Sequence, residues 1–357
     1  MKRVLALAAT LLLAGCGIAP APHTALPTAT APASEVQRGL VLPTWERHGY
    51  RDPDTIPALH EMAALGAGWV QLVPTWYQSS RTSSTLRPTD ATVADGELRT
   101  VVEAAHAAGL RVLLKPHVDV ADGTDRALID PADREAWFRS YRAFITDYAG
   151  LASELGVEQF AVGTELEALS DDRVRWLDVV AAVRAVYRGE LVYAANHTEY
   201  QTVAFWDAVD LIGIDVYWSL APSATTDVEL LERALAVRRD ELEALAARYH
   251  RRILFTEAGF PSQRGAAAAP WDGLRSTVPA QDEQAAAYEA LLATFTGQPW
   301  WAGVFWWTWT VAHQHDVDTP QALDHSVRGK LAADVLMRWW ATGLGATAGA
   351  SVVGGQP

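Results

Sequence analysis

Arg252-Ile253-Leu254-Phe255-Thr256-Glu257-Ala258-Gly259-Phe260 runs four apolar or β-branched residues into a carboxylate and then breaks on a glycine. A continuous apolar run of this length, ended by a turn residue, describes a strand buried on both faces that delivers its acid to the rim of a parallel sheet. Gln159-Phe160-Ala161-Val162-Gly163-Thr164-Glu165-Leu166 does the same upstream, with Glu165 at the mouth.

Outward from these two stretches the same alternation of short apolar runs and longer amphipathic ones fills the chain from Val36 to Met337. The expected strands are 37–43, 69–76, 111–118, 159–165, 191–197, 211–217, 252–258 and 302–308. Between them lie segments such as Leu98-x-x-Val101-Val102-x-x-Ala105, Trp137-Phe138-x-x-Tyr141-x-x-Phe144 and Leu230-Leu231-x-x-Ala234-Leu235. Apolar residues three and four apart give each a single buried stripe, the mark of a surface helix. Eight βα units in roughly 300 residues predict an α/β fold, a single-domain (β/α)8 TIM barrel over residues 36–341. An open doubly wound sheet fits less well. No Gly-rich phosphate loop follows the first strand, and polar residues crowd many strand ends rather than one crevice.

In a barrel, chemistry belongs at the C-terminal ends of the strands. Those ends carry Val73-Pro74-Thr75-Trp76, Leu114-Lys115-Pro116-His117-Val118-Asp119, Ala195-Asn196-His197, Ile214-Asp215-Val216-Tyr217-Trp218 and Phe305-Trp306-Trp307-Thr308-Trp309. Residues two apart share a strand face, so Lys115, His117 and Asp119 form one set, Asp215 and Tyr217 a second, and Trp307 and Trp309 a third. Glu165 and Glu257 fall on the fourth and seventh strands, from which two carboxylates can face each other across the mouth. A paired acid and carboxylate suits glycosidic bond cleavage. Retaining enzymes hold the two about 5–5.5 Å apart and inverting enzymes about 6.5–9.5 Å apart. A lone glutamate closing a strand can equally serve the positive end of the next helix; two, on these strands, point to chemistry.

The 15 tryptophans divide by context. Trp137, Trp176, Trp206, Trp339 and Trp340 sit in helical patterns and belong to packing. Trp76, Trp307 and Trp309 stand at strand ends, where indole faces can stack on pyranose rings; Trp45 and Trp271 lie in loops. No third ligand joins His117 and Asp119 at a metal-binding spacing, and no cofactor motif is present.

Residues 1–15 combine Lys2 and Arg3 with an apolar run from Val4 to Leu13, an export signal too short to remain as a membrane-spanning helix. The 1 cysteine of the chain, Cys16, closes Leu13-Ala14-Gly15-Cys16. That sequence resembles the lipobox of bacterial lipoproteins, which implies a lipidated Cys16 as the mature N-terminus, an extracytoplasmic location and a membrane partner. The Ala-, Pro- and Thr-rich residues up to 35 read as a linker, and 342–357, rich in Gly and Ala, as a disordered tail. The formal net charge is -14 and becomes -16 without Lys2 and Arg3, which argues against nucleic acid as a partner. Oligomeric state leaves no mark on the sequence.

The pairing of Glu165 with Glu257 resembles the clan A glycoside hydrolases. Several segments are similar to family 113 of that clan, whose characterised members are mostly endo-β-1,4-mannanases. They are Leu114-Lys115-Pro116-His117-Val118-Asp119, Val162-Gly163-Thr164-Glu165, Leu211-Ile212-Gly213-Ile214-Asp215-Val216-Tyr217, Thr256-Glu257-Ala258-Gly259-Phe260-Pro261-Ser262, Phe305-Trp306-Trp307-Thr308-Trp309 and Arg328-Gly329-Lys330-Leu331-Ala332. The resemblance implies a retaining enzyme cleaving β-mannan, with Glu165 as acid/base and Glu257 as nucleophile. Trp76, Lys115, His117, Asp119, Asn196, Asp215, Tyr217, Trp307 and Trp309 then become expected contacts to a polysaccharide or oligosaccharide. Tyr217 is the expected hydrogen-bond donor to Glu257, with positive potential from Lys115 or His117. Most of the clan places Asn before the acid/base; Thr164 stands there, as in family 113, and Asn196 is the expected substitute contact to the sugar 2-hydroxyl.

Two rival readings remain at this level. A xylanase, glucanase or galactanase of the same clan would share the carboxylate pair, and a non-catalytic sugar-binding lipoprotein would keep the barrel and its tryptophans.

Overall fold

The structure, a computed structural model, describes residues 35–311 and 323–342. The leader, Cys16, nearly all of the linker and the tail beyond Thr342 lie outside the described residues. Eight parallel strands close a barrel: β1 (Gln37–Pro43), β2 (Trp69–Val73), β4 (Arg111–Leu114), β6 (Gln159–Thr164), β7 (Glu190–Asn196), β8 (Leu211–Asp215), β9 (Arg252–Ala258) and β10 (Trp301–Trp306), with β10 beside β1. The (β/α)8 barrel expected from the sequence is therefore the observed fold.

Two expected strands are each cut in two. Pro74 separates β2 from β3 (Thr75–Gln78), and Pro116 separates β4 from β5 (His117–Val120). Proline offers no N–H to a neighbouring strand. Beyond it β3 and β5 pair with each other, Thr75 opposite His117, as a two-stranded parallel sheet apart from the barrel.

Among the described residues seven α-helices follow the strands: α1 (Thr55–Leu65), α2 (Asp95–Ala107), α3 (Arg134–Leu155), α4 (Arg173–Val186), α5 (Val228–Tyr249), α6 (Gln281–Phe295) and α7 (Leu331–Ala341). The segment from β7 to β8 carries no α-helix and holds only the 3-10 turn Trp206–Ala208, whose Trp206 is buried. Three helices start where their aspartates cap them, Asp133 accepting from Ala136 N–H, Asp172 from Arg175 N–H and Asp227 from Leu230 N–H.

Strand alternation makes two cores. Val41, Trp69, Val73, Leu113, Ala161, Val192, Leu211, Leu254, Ala302 and Phe305 fill the barrel. Their neighbours in sequence, among them Leu40, Val70, Val112, Phe160 and Phe255, face the helices in a larger layer. Gly39 belongs to this scheme because a Cβ there would lie 2.3 Å from the ring of Phe305. Fully burying an aliphatic or aromatic side chain contributes about 1.5–3 kcal/mol, so this doubly lined sheet is the main source of stability.

Candidate active site

Both carboxylates leave their strands at irregularities. On β8 and β9 the register steps from Ile214–Phe255 to Asp215–Glu257, one residue against two, so Thr256 is the extra residue of a bulge. Leu254 points into the barrel and Phe255 to the helices. Strict alternation would send Glu257 to the helix side as well; the bulge returns it to the face of Asp215. On β6 and β7 the register steps from Ala161–Val192 to Thr164–Ala194, another bulge. Glu165 then takes a left-handed backbone, with φ 51°.

The two side chains meet in one cavity of about 430 Å³ at the C-terminal end of the barrel, whose lining also includes Trp45, Arg126, Asn196, Tyr217, Trp271 and Trp307. Their surroundings differ. Glu257 accepts from Lys115 Nζ at 2.7 Å through Oε1 and from Tyr217 Oη at 2.8 Å through Oε2. Two donors, one of them cationic, hold both oxygens of this carboxylate in place. Glu165 accepts from Arg126 Nη1 at 3.1 Å. Burial nevertheless pushes its pKa up to about 7, helped by Glu257 and opposed by Arg126 and Lys115. A carboxyl that keeps its proton near neutrality thus shares a cavity with one held by two donors.

Lys115 and Asp215 lie beneath this floor, both wholly buried. Lys115 Nζ donates to Asp215 at 2.9 and 3.1 Å as well as to Glu257, and Thr256 Oγ1 donates to Asp215 at 2.6 Å. Burial pulls the ammonium down, but Asp215, Glu257 and Glu165 together outweigh it and hold Lys115 above its ordinary pKa. The expected substrate contacts at 115 and 215 are therefore internal: one cation is shared between two carboxylates, with no surface left for a sugar.

His117 lines the cavity with both ring nitrogens unpartnered. Burial, then Arg126 and Lys115, push its pKa well below the ordinary value, so it is a neutral imidazole and not a source of positive potential. Asp119 acts through Arg126, whose Nε donates to its Oδ1 at 3.1 Å, and accepts at Oδ2 from Trp45 Nε1 at 3.2 Å. Asn196, Tyr217 and Trp307 also line the cavity.

Trp76 and Trp309 do not join them. Trp76 packs on α3, 5.3 Å from Phe144 and 6.4 Å from Tyr148 between ring centroids. Its strand has by then left the barrel at Pro74. Trp309 is buried in the layer between barrel and helices, its backbone N–H donating to Val41 O at 2.8 Å. β10 ends at Trp306, so the two-residue alternation that paired Trp309 with Trp307 no longer applies there.

Sequence reasoning passed over Arg126, which sits in the 3-10 turn Arg126–Leu128 behind Asp119. In Asp122-Gly123-Thr124-Asp125-Arg126 it reads as a solvated turn residue, and its position soon after a strand end was the available signal. The tryptophans left undecided, Trp45 and Trp271, are 41% and 56% exposed and form walls of the cavity. Trp45 meets Trp307 edge to face at 5.9 Å, and Trp271 lies parallel to His197 at 6.0 Å. His325 lines the cavity too, held by Pro270 O at 2.7 Å from its Nε2. Among the described residues no group of three or more His, Cys, Asp and Glu is gathered as a metal site.

A (β/α)8 barrel whose fourth and seventh strands bring an acid and a carboxylate into one tryptophan-walled cavity has the make-up of a carbohydrate-cleaving enzyme. The sequence model of Glycoside Hydrolase Family 113 matches residues 43–330, and the chain belongs to that family and is a glycoside hydrolase. The GH113 β-mannanase AaManA from Alicyclobacillus acidocaldarius, solved in complex with ManMIm, is 29% identical over 87% of this chain and 98% of its own, with a TM-score of 0.78. A complex structure of a GH113 β-1,4-mannanase is 26% identical over 86% and 99% of the two chains, with a TM-score of 0.77. GH5_18 from Bifidobacterium longum, 16% identical over 86% and 79% with a TM-score of 0.59, shares the fold alone. No curated protein matches the chain.

Proposed function

We propose that this glycoside hydrolase is a retaining β-1,4-mannanase, with Glu257 as nucleophile and Glu165 as acid/base. The observation that carries the assignment is the opposed environment of two carboxyls in one cavity. Glu257 is held by Lys115 and Tyr217, while Glu165 is pushed up to about 7 chiefly by burial. Glu257 Oε attacks the anomeric carbon as Glu165 gives its proton to the departing glycosidic oxygen, leaving a glycosyl ester on Glu257. Glu165, now ionised, takes a proton from water, whose oxygen displaces Glu257 from the anomeric carbon. The sugar leaves with its configuration retained and both carboxyls return to their starting states.

His117, Asn196, Tyr217 and Trp307 line the cavity and are the proposed sugar contacts, with Arg126, Trp45 and Trp271 added to them. Mannan is preferred over xylan, glucan or galactan because both GH113 structures compared above are described as mannanases. Purified protein should cleave β-mannan in a polysaccharide panel. Glu257→Ala should lose several powers of ten in rate and regain turnover with azide, releasing an α-glycosyl azide. Inverted product from the unaltered enzyme, or full activity in that variant, would remove the assignment. Export and lipid anchoring at Cys16 are proposed from the leader sequence; a Cys16→Ser variant that still took up labelled fatty acid would overturn them.

A further inference from the structure

Glu199 is wholly buried yet is not part of the cavity lining. It lies just beyond β7, and its Oε1 accepts from Tyr193 Oη at 2.5 Å while its Oε2 accepts from Asn196 N–H at 2.8 Å. Tyr193 Oη in turn accepts from Leu166 N–H at 3.1 Å. Leu166 follows Glu165, and the N–H of Glu165 itself donates to Ala194 O at 2.8 Å. The backbone on either side of the acid is thus tied to β7, once by the strand ladder and once through a buried hydroxyl.

That second tie holds an unfavourable conformation. A left-handed φ at a residue with a side chain persists only where its surroundings over-determine it, and Glu165 stands at 51°. The Tyr193 ring also packs close against the glycine two residues earlier; a Cβ at Gly163 would lie 2.7 Å from it. Tyr193 and Glu199 therefore meet the acid's strand from behind, on the helix side of the barrel, in line with Trp176 and Phe205 stacked there at 4.8 Å.

We infer that Tyr193 and Glu199 are positioning residues for the acid/base. Glu199 orients the tyrosine hydroxyl, the hydroxyl fixes Leu166 N–H, and the fixed backbone aims the Glu165 carboxyl at the glycosidic oxygen. The same carboxylate, through Asn196 N–H, sets the cavity-lining Asn196 in register with it. This rests on Glu165 being the acid/base.

The test uses two substrates that differ in their need for a proton. A mannooligosaccharide loses a poor alkoxide leaving group and needs the acid, whereas a dinitrophenyl β-mannobioside expels a stable phenolate without it. In Tyr193→Phe, kcat/KM on the mannooligosaccharide should fall by roughly tenfold to a hundredfold, as a small misplacement of a reacting group does. On the dinitrophenyl substrate it should stay within about twofold. Glu199→Gln retains the volume and one acceptor, and should show the same split more weakly; it carries the test if the phenylalanine variant does not fold. Equal losses on both substrates, or none on either, would overturn the inference and leave the pair as packing. Glu165→Ala is the control. If it shows the split and the other two do not, only the positioning role fails; if it too shows none, the acid/base assignment itself is lost.

Discussion

Replacing Arg126 by glutamine should move the alkaline limb of the activity profile upward. Arg126 Nη1 lies 3.1 Å from Glu165 Oε2, and the two side chains are 16% and 17% exposed. Unit charges about 4 Å apart attract by about 1 kcal/mol in water and about 4 kcal/mol at an effective dielectric of 20. A partly wet pair falls between these limits. At about 1.4 kcal/mol per pKa unit, losing the cation raises the carboxyl by roughly 1–2 units. The sign follows from the proposed role: as the acid Glu165 must be protonated, Arg126 favours its ionised form, and without Arg126 the proton is kept to higher pH. The freed Asp119 carboxylate adds in the same direction. With Glu165 at about 7 in the native protein, the limb should reach about 8–9. The assay is kcat/KM on a mannooligosaccharide from acid to alkaline pH, because that ratio reports the free enzyme. A limb that stays in place or moves down would refute the reasoning, even if overall activity fell.

Tyr217→Phe removes the hydroxyl 2.8 Å from Glu257 Oε2 and should lower kcat by roughly tenfold to a hundredfold with little change in melting temperature, measured by steady-state kinetics and calorimetry. Lys115→Met leaves Asp215 and Glu257 without their shared cation; it should destabilise by about 3–5 kcal/mol in denaturant titration and abolish most activity. Gly39→Ala puts a methyl 2.3 Å from the buried ring of Phe305 and should lower stability by about 1–3 kcal/mol in the same titration, with kcat preserved in the folded fraction.

The residues that could be read ahead of the structure are those whose role is set by their own strand. Val162-Gly163-Thr164-Glu165 and Thr256-Glu257-Ala258-Gly259 disclosed two acids at strand ends, and the apolar runs around them disclosed the barrel. Tyr217 was legible as the partner of Glu257 because both sit at the mouths of neighbouring strands. Lys115 follows the apolar run Val112-Leu113-Leu114, but nothing local marks it as an internal counter-ion of Asp215. Arg126 and Glu199 escaped because each works through contacts to other elements, 39 residues to Glu165 in one case and a relay by way of Tyr193 in the other.

What the sequence determined by itself was the number and order of the barrel strands and the presence of the two carboxylates at the ends of two of them, because apolar periodicity is local and strand ends are marked by glycine and polar residues. Which way those carboxylates face was decided only in three dimensions. The bulge at Thr256 exists because β9 pairs out of step with β8, and the turned backbone at Glu165 is held by β7. The same holds for the tryptophans: Trp307 reached the cavity while Trp76 and Trp309 were drawn into packing, since each indole took the surface that neighbouring strands and helices left to it.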